Sequence, residues 1–233
     1  MNIAIIPARA KSKRIKDKNI VNFLGRPIIH WSILKAKKSK IFSNIIVTTD
    51  SKRISRIAKM SGAETPFLRP KNISDGKTGI LKVVKHSIKF LEKKKINFKY
   101  VCCLFPTAPF INKKILKTAL LKLKKEKLDF VFGAIQKDSS LLRSFYSKGD
   151  KLKMTNSYFY NYESQKLPKI FVDSGQFYWG TKSAWKNKKK IFCNNSGFIE
   201  LNKDTYIDIN SKKDLKKAIK VAKKNFKKLF KVD

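Results

Sequence analysis

Short apolar runs alternate with amphipathic stretches along most of the chain. Residues 3–6, 45–49 and 130–135 are strand-length apolar runs. Residues 100–105 form a continuous apolar run bounded by proline, which suits a central parallel strand. Between these runs the spacing becomes helical. Pro27 stands where a first helical turn begins, and 28–38 carries apolar positions at Ile29, Ile33 and Leu34. Asp50 and Ser51 supply a cap before Ile54, Ile57 and Ala58, and Gly62 closes that helix. Residues 63–67 read as a short strand, followed by a loop with Pro66, Pro70 and Gly76. Residues 80–93 place Val83, Val84, Ile88 and Leu91 on one stripe, and 115–123 is helical again. Ser211 with Asp214 three residues on predicts a capped final helix. Its apolar positions are Leu215, Ile219, Val221, Ala222, Phe226 and Leu229. Repeated βα units of this kind predict an α/β fold with a doubly wound, mostly parallel sheet.

The alternation breaks from about residue 137 to 169, a polar stretch studded with Phe145, Tyr146, Tyr158, Phe159, Tyr160 and Tyr162. A loop that long without structure of its own is uncommon in a compact domain. The expected organisation is one α/β domain from 1–136 and 171–233, with 137–170 as an inserted arm or flap. A hairpin flap folded onto its own domain is the alternative to an arm that reaches a second subunit.

Composition narrows the class. With 233 residues and 42% apolar content the chain can bury a sizeable core. No apolar run approaches the ~18 residues of a membrane span, and no signal-peptide pattern precedes the first strand, so the expected compartment is the cytoplasm. Cys102, Cys103 and Cys193 lack metal-binding or redox spacing and read as core thiols. The formal net charge is +39 and the isoelectric point near 10.2. That charge admits a nucleic-acid-binding protein. Yet the cations are 48 Lys and only 7 Arg, spread along the helices, whereas nucleic-acid readers lean on Arg for bidentate contacts. Lys, Ile, Asn and Phe are all abundant, which points to compositional drift, as in proteins from AT-rich genomes. Either way, such a charge steers anions inward and makes binding salt-sensitive.

Candidate chemistry starts where the first strand runs into a basic loop. Arg9, Lys13 and Lys18 can neutralise phosphate oxygens, and Ser12 adds a hydroxyl donor. A solvated basic turn is the plainer reading of the same residues. Ligands in open α/β sheets bind beyond the carboxyl ends of the strands. The loops at 7–19, 69–75 and 106–110 all fall there. His30 and His86 lie on predicted helices away from these loops, so a Ser-His-Asp hydrolase is unattractive. Neither GxxxxGK[ST] nor GxGxxG occurs, so kinase and dehydrogenase readings lack their motifs.

Four segments, in order, carry a resemblance: "IIPARAKSKRIKDKNI" at 5–20, "FLRP" at 67–70, "PTAPF" at 106–110 and "DSGQFYWG" at 173–180. Together they resemble the acylneuraminate cytidylyltransferase (CMP-sialic acid synthetase) family, over nearly the whole chain. The last segment is most similar to the branch that acts on pseudaminic acid. The resemblance implies a nucleotidyltransferase that joins CTP to a nine-carbon 2-keto sugar acid and releases pyrophosphate, for surface glycan or flagellin glycosylation. It implies a phosphate cradle of Ala8, Arg9, Ser12, Lys13 and Lys18 supported by Asn19. Arg69 would sit by the cytidine, with Pro106 and Thr107 lining the crevice. Gln176, Phe177 and Tyr178 would line the sugar pocket. Lys18, Arg9 and Asp208 would act in catalysis, and Asp208 with Asn210 would hold Mg2+. The arm at 137–170 would join a homodimer.

Two positions depart from the family pattern. Asn210 stands where the family has a second Asp, losing a charge while keeping one acceptor oxygen. Ala10-Lys11 stands where close relatives have Gly-Gly. The remaining alternatives are the same chemistry on sialic, legionaminic or 3-deoxy-octulosonic acid, a degenerate enzyme that still binds CTP, and a basic nucleic-acid-binding protein.

Overall fold

The computed structural model describes residues 1–12, 14–226 and 230. Lys13 of the expected cradle and Leu229 of the last helix lie outside the described residues. A six-stranded sheet forms the centre, built from β1 (Asn2–Pro7), β4 (Asn44–Thr48), β5 (Tyr100–Leu104), β6 (Phe130–Lys137), β9 (Ile170–Thr181) and β10 (Ser196–Glu200). A two-residue hairpin, β2 (Asn22–Phe23) with β3 (Arg26–Pro27), follows the basic loop. Strand β7 (Phe145–Lys148) pairs with β8 (Lys151–Met154) in a separate ribbon. The helices are α1 (Ile28–Ser39), α2 (Lys52–Met60), α3 (Ile80–Lys93), α4 (Lys113–Lys125), α5 (Lys182–Asn187) and α6 (Lys212–Lys224).

The strand order is β10-β6-β9-β5-β1-β4. Strands β4, β1 and β5 are parallel, as are β6 and β10, while β9 runs antiparallel to both β5 and β6. The sheet is therefore mostly parallel, as expected. The strand at 100–105 differs from the expectation on one side: it is parallel to β1 but antiparallel to β9. The expected strand at 63–67 is reduced to the single bridges Ile46↔Glu64 and Thr49↔Leu68. Pro66 has no N–H to give a ladder there.

Successive side chains of a strand point to opposite faces, and the core divides accordingly. Ile3 and Ile5 of β1, with Val101 and Cys103 of β5, pack under α3 and α5. Ile6, Cys102, Leu104, Phe177 and Trp179 pack on the other face against α1, α2, α4 and α6. Apolar residues on both faces are what doubly wound strands require. Cys102 and Cys103 are buried thiols whose pKa values burial pushes up. Among the described residues no helix is long and apolar enough to cross a membrane.

The chain leaves the sheet at the end of β6 and returns in β9, where Lys137 pairs with Ile170. The excursion between them carries the β7–β8 ribbon and short 3-10 turns. Phe145 is 64% exposed, and Tyr158 and Tyr160 each 69%. These rings therefore do not fold onto the core of their own domain.

The last helix opens on the expected device. Ser211 Oγ accepts from Asp214 N at 3.2 Å, and Asp214 Oδ2 accepts from Ser211 N at 2.7 Å. Ser211→Ala removes half of this reciprocal cap. It should lower unfolding free energy by about 1 kcal/mol, read as a shifted urea midpoint at unchanged m-value.

Candidate active site

The carboxyl ends of β1 and β5 open onto a cleft of about 560 Å3. Its walls include Arg9, Ser12, Arg14, Lys18 and Asn19 from the loop after β1, Arg69, Gly76 and Thr78 from the loop before α3, and Pro106 and Thr107 after β5. The β1 loop is held from below. Asn19 Nδ2 donates to Arg9 O at 2.9 Å, and Ala10 N donates to Asp50 Oδ1 at 2.7 Å. On the far side, Ser32 Oγ of α1 donates to Pro106 O at 3.0 Å and fixes the loop after β5.

Arg9 lies against Gly76. A side chain at Gly76 would run into the Arg9 guanidinium, and the backbone there has φ +84, which disfavours any L side chain. Arg69 is buried, with Nε donating to Ser74 Oγ at 2.9 Å and Nη2 at 4.0 Å from Asp50 Oδ1.

The opposite end of the cleft meets the segment before α6. Lys18 Nζ and Arg14 Nη2 donate to Asn210 Oδ1 at 3.2 and 2.9 Å, and Asn210 Nδ2 donates to Asp208 Oδ2. Burial lowers the Lys18 pKa, opposed by Asp208 and assisted by Arg14 and Arg9. Asp208 has an edge open to solvent, yet desolvation by the surrounding protein raises its carboxyl above the usual range, with Lys18 and Asn210 pulling it down. Gly175, at φ +61, lets the Asp208 carboxylate pack where a Cβ would stand 2.9 Å from its Cγ.

The structure brings together Arg9, Ser12, Lys18, Asn19, Arg69, Pro106 and Thr107, and sets Asp208 and Asn210 at the edge of the same cleft. Four other expected residues, Ala8, Gln176, Phe177 and Tyr178, do not line this cleft. The Ala8 side chain is buried in the core and its N–H donates to Thr48 O at 3.0 Å, so neither faces the cleft. Gln176 is fully buried, its Nε2 donating to Ser174 O and Ile207 O, while its Oε1 has no hydrogen-bond partner. Phe177 is a core residue beside Trp179. Tyr178 is buried and donates to the Asp173 carboxylate. The reason is common to the last three: β9 lies inside the sheet between β5 and β6, so its side chains enter the two cores. Residues that sequence reasoning left out are Arg14, Gly76, Thr78 and Asp50. The Asp75-Gly76 turn was a usable signal, because the Asp75 carboxylate accepts from Lys77 N and Thr78 N just before α3.

An open α/β sheet with a cation-lined cleft beyond its strand ends, and a carboxylate at the rim, is the arrangement of a nucleotidyltransferase. The chain belongs to the cytidylyltransferase family, whose model, described as "Cytidylyltransferase", matches residues 3–229. It is 37% identical over 230 residues to the pseudaminic acid cytidylyltransferase of Campylobacter jejuni, covering 98% of this chain and 99% of that one. It is 27% identical to the N-acylneuraminate cytidylyltransferase of Escherichia coli, over 95% of this chain and 52% of that protein. In fold it is similar to a CMP:2-keto-3-deoxy-manno-octonic acid synthetase solved with CTP, with a TM-score of 0.73 at 13% identity, covering 96% of this chain and 99% of that one.

Gly76→Ala tests the packing of Arg9. Displacing this guanidinium should weaken nucleoside triphosphate binding by about tenfold, the loss of one charge-assisted contact, as measured by calorimetric titration.

Proposed function

We propose that the chain transfers CMP from CTP to the anomeric hydroxyl of a nine-carbon 2-keto sugar acid, pseudaminic acid, and releases pyrophosphate. The observation that carries this reading is the match to a pseudaminic acid cytidylyltransferase over nearly the whole of both chains. The cationic cleft gives it a chemical basis. The sugar hydroxyl attacks the α-phosphorus in line with the leaving pyrophosphate, so charge on the phosphates must be neutralised before and during transfer. Arg9, Arg14 and Lys18 line the cleft where a triphosphate enters, and the Ser12 hydroxyl can donate to a phosphate oxygen. Arg69, fixed in the wall, supplies positive potential on the nucleoside side. Burial lowers the Lys18 pKa, so a phosphate partner would favour its charged form.

Mg2+ fits as an ion carried in with CTP. Among the described residues no group of three or more His, Cys, Asp and Glu is placed to hold a metal. One carboxylate with substrate phosphates is the usual arrangement for this ion, and Asp208 is that carboxylate. Bound there, Mg2+ would withdraw charge from the phosphates. Asn210 does not fit as a second ligand, because its oxygen already serves Arg14 and Lys18 and its amide nitrogen faces Asp208. The exposed rings of the 137–170 arm support a homodimer, and the product supports surface glycan or flagellin glycosylation from the cytoplasm.

The direct test is pyrophosphate release from CTP and Mg2+ with a panel of pseudaminic, sialic, legionaminic and 3-deoxy-octulosonic acids. Release with pseudaminic acid alone is expected. Release with another sugar keeps the chemistry and discards the acceptor, and CTP binding without release from any sugar marks a disabled enzyme.

Asn210→Asp places a carboxylate oxygen where an amide nitrogen now faces Asp208. The variant should need less Mg2+ for half-maximal pyrophosphate release, by about tenfold for one added charge-assisted ligand. It should also gain thermal stability on Mg2+ addition where the parent gains none. An unchanged Mg2+ titration overturns this.

A further inference from the structure

A single carboxylate reaches both walls of the cleft. Asp50 stands two residues beyond the end of β4, and its Oδ1 accepts from Ala10 N at 2.7 Å in the loop after β1. The same oxygen stands 4.0 Å from Nη2 of Arg69, whose side chain is only 3% exposed. Asp50 is not occupied in capping α2. That duty belongs to Ser51, whose Oγ accepts from Ile54 N at 3.3 Å. Arg69 is pinned by two further contacts: its backbone N–H donates to Thr49 O at 2.7 Å and its Nε to Ser74 Oγ at 2.9 Å, and Ser74 Oγ is itself held by donating to Pro70 O at 3.0 Å. Gly76, in the same loop as Arg69, carries the Arg9 guanidinium against it. The two loops therefore meet twice, once through Arg9 on Gly76 and once through Asp50.

We propose that Asp50 is a positioning residue for CTP, locking the loop after β1 and the Arg69 segment into one frame before the nucleotide arrives. The proposal rests on the nucleotide reading above. Asp50 touches no substrate in this role. Its charge compensates a buried guanidinium that has Arg9 as a cationic neighbour, and its oxygen satisfies a backbone donor that holds the cradle loop in place. Burial is the main influence lowering the Arg69 pKa, and Asp50 is the group that opposes it.

The test compares the full-length parent with Asp50→Ala and Asp50→Asn. CTP affinity is measured by calorimetry with Mg2+, together with KM for CTP, KM for the sugar, and Tm. Asp50→Ala should weaken CTP binding by about tenfold or more while the sugar KM stays within about twofold. Asp50→Asn should recover part of the loss, because a carboxamide oxygen still accepts from Ala10 N–H without carrying charge. CTP affinity within about twofold of the parent in Asp50→Ala overturns the proposal, as does an equal rise in both KM values. An asparagine no better than alanine also overturns it, since the Ala10 contact then contributes nothing. If Asp50→Ala does not fold, Asp50→Asn decides: parental CTP affinity overturns the proposal, and a selective loss of CTP affinity supports it. A parent protein that binds no CTP overturns the nucleotide reading along with this one, whereas loss confined to the variants leaves that reading intact.

Discussion

Four cationic side chains converge on one cleft, and keeping them charged while partly withdrawn from water is the constraint to which the rest of the site answers. Arg14 and Lys18 both reach the same oxygen of Asn210. Arg14 is a like charge beside Lys18 and adds to the cost of burying it. Arg9 and Arg69 repel in the same way on the other wall. The fold holds them by local compensation rather than by distance. Asp50 faces Arg69, Asp208 lowers the local potential at Lys18, and the Asn210 oxygen offers an uncharged acceptor between two cations. A triphosphate would relieve the remaining imbalance.

Most of the fold could be read from the sequence because its elements are strongly periodic. The stripe at Val83, Val84, Ile88 and Leu91 gave α3 with its observed ends, and Ser211 with Asp214 gave the start of α6. Strand direction was harder. Buried strands have the same composition whichever way they run, so β9 was assigned no direction of its own. The signal lay in the connection. A parallel neighbour needs a crossover, usually a helix, and the stretch from 137 to 170 contains no helical stripe. The chain accordingly returns beside β6 in the opposite sense.

The cleft was legible where charged loop residues line it, whereas the strand residues expected beside it are packed inside the sheet. Arg9, Ser12, Lys18 and Asn19 stand together because a loop at the end of a parallel strand has nowhere else to point. Gln176, Phe177 and Tyr178 belong to an equally distinctive run, but its distinctiveness is that of packing. Phe177 fills one core, Tyr178 the other, and the Gln176 amide ties the strand to the backbone at Ile207, next to Asp208. Asp50 went unread for the opposite reason. Beside Ser51 it looked like half of a helix cap, and only the fold brings Ala10 and Arg69 to its carboxylate.

The large net charge acts on a different length scale from the site. With 55 cations to 16 acids, positive side chains outnumber negative ones by more than three to one. At physiological ionic strength the field of such a surface decays within about 8 Å. It can raise the local concentration of CTP and of an acidic sugar, and hence the rate of encounter, but it cannot distinguish one anion from another. Discrimination has to come from side chains fixed by contacts shorter than that screening length. Arg69 meets this condition through Asp50, Ser74 and its own backbone N–H, and Lys18 through Asn210. Drift toward lysine in the composition can therefore proceed over most of the surface without altering what the cleft selects.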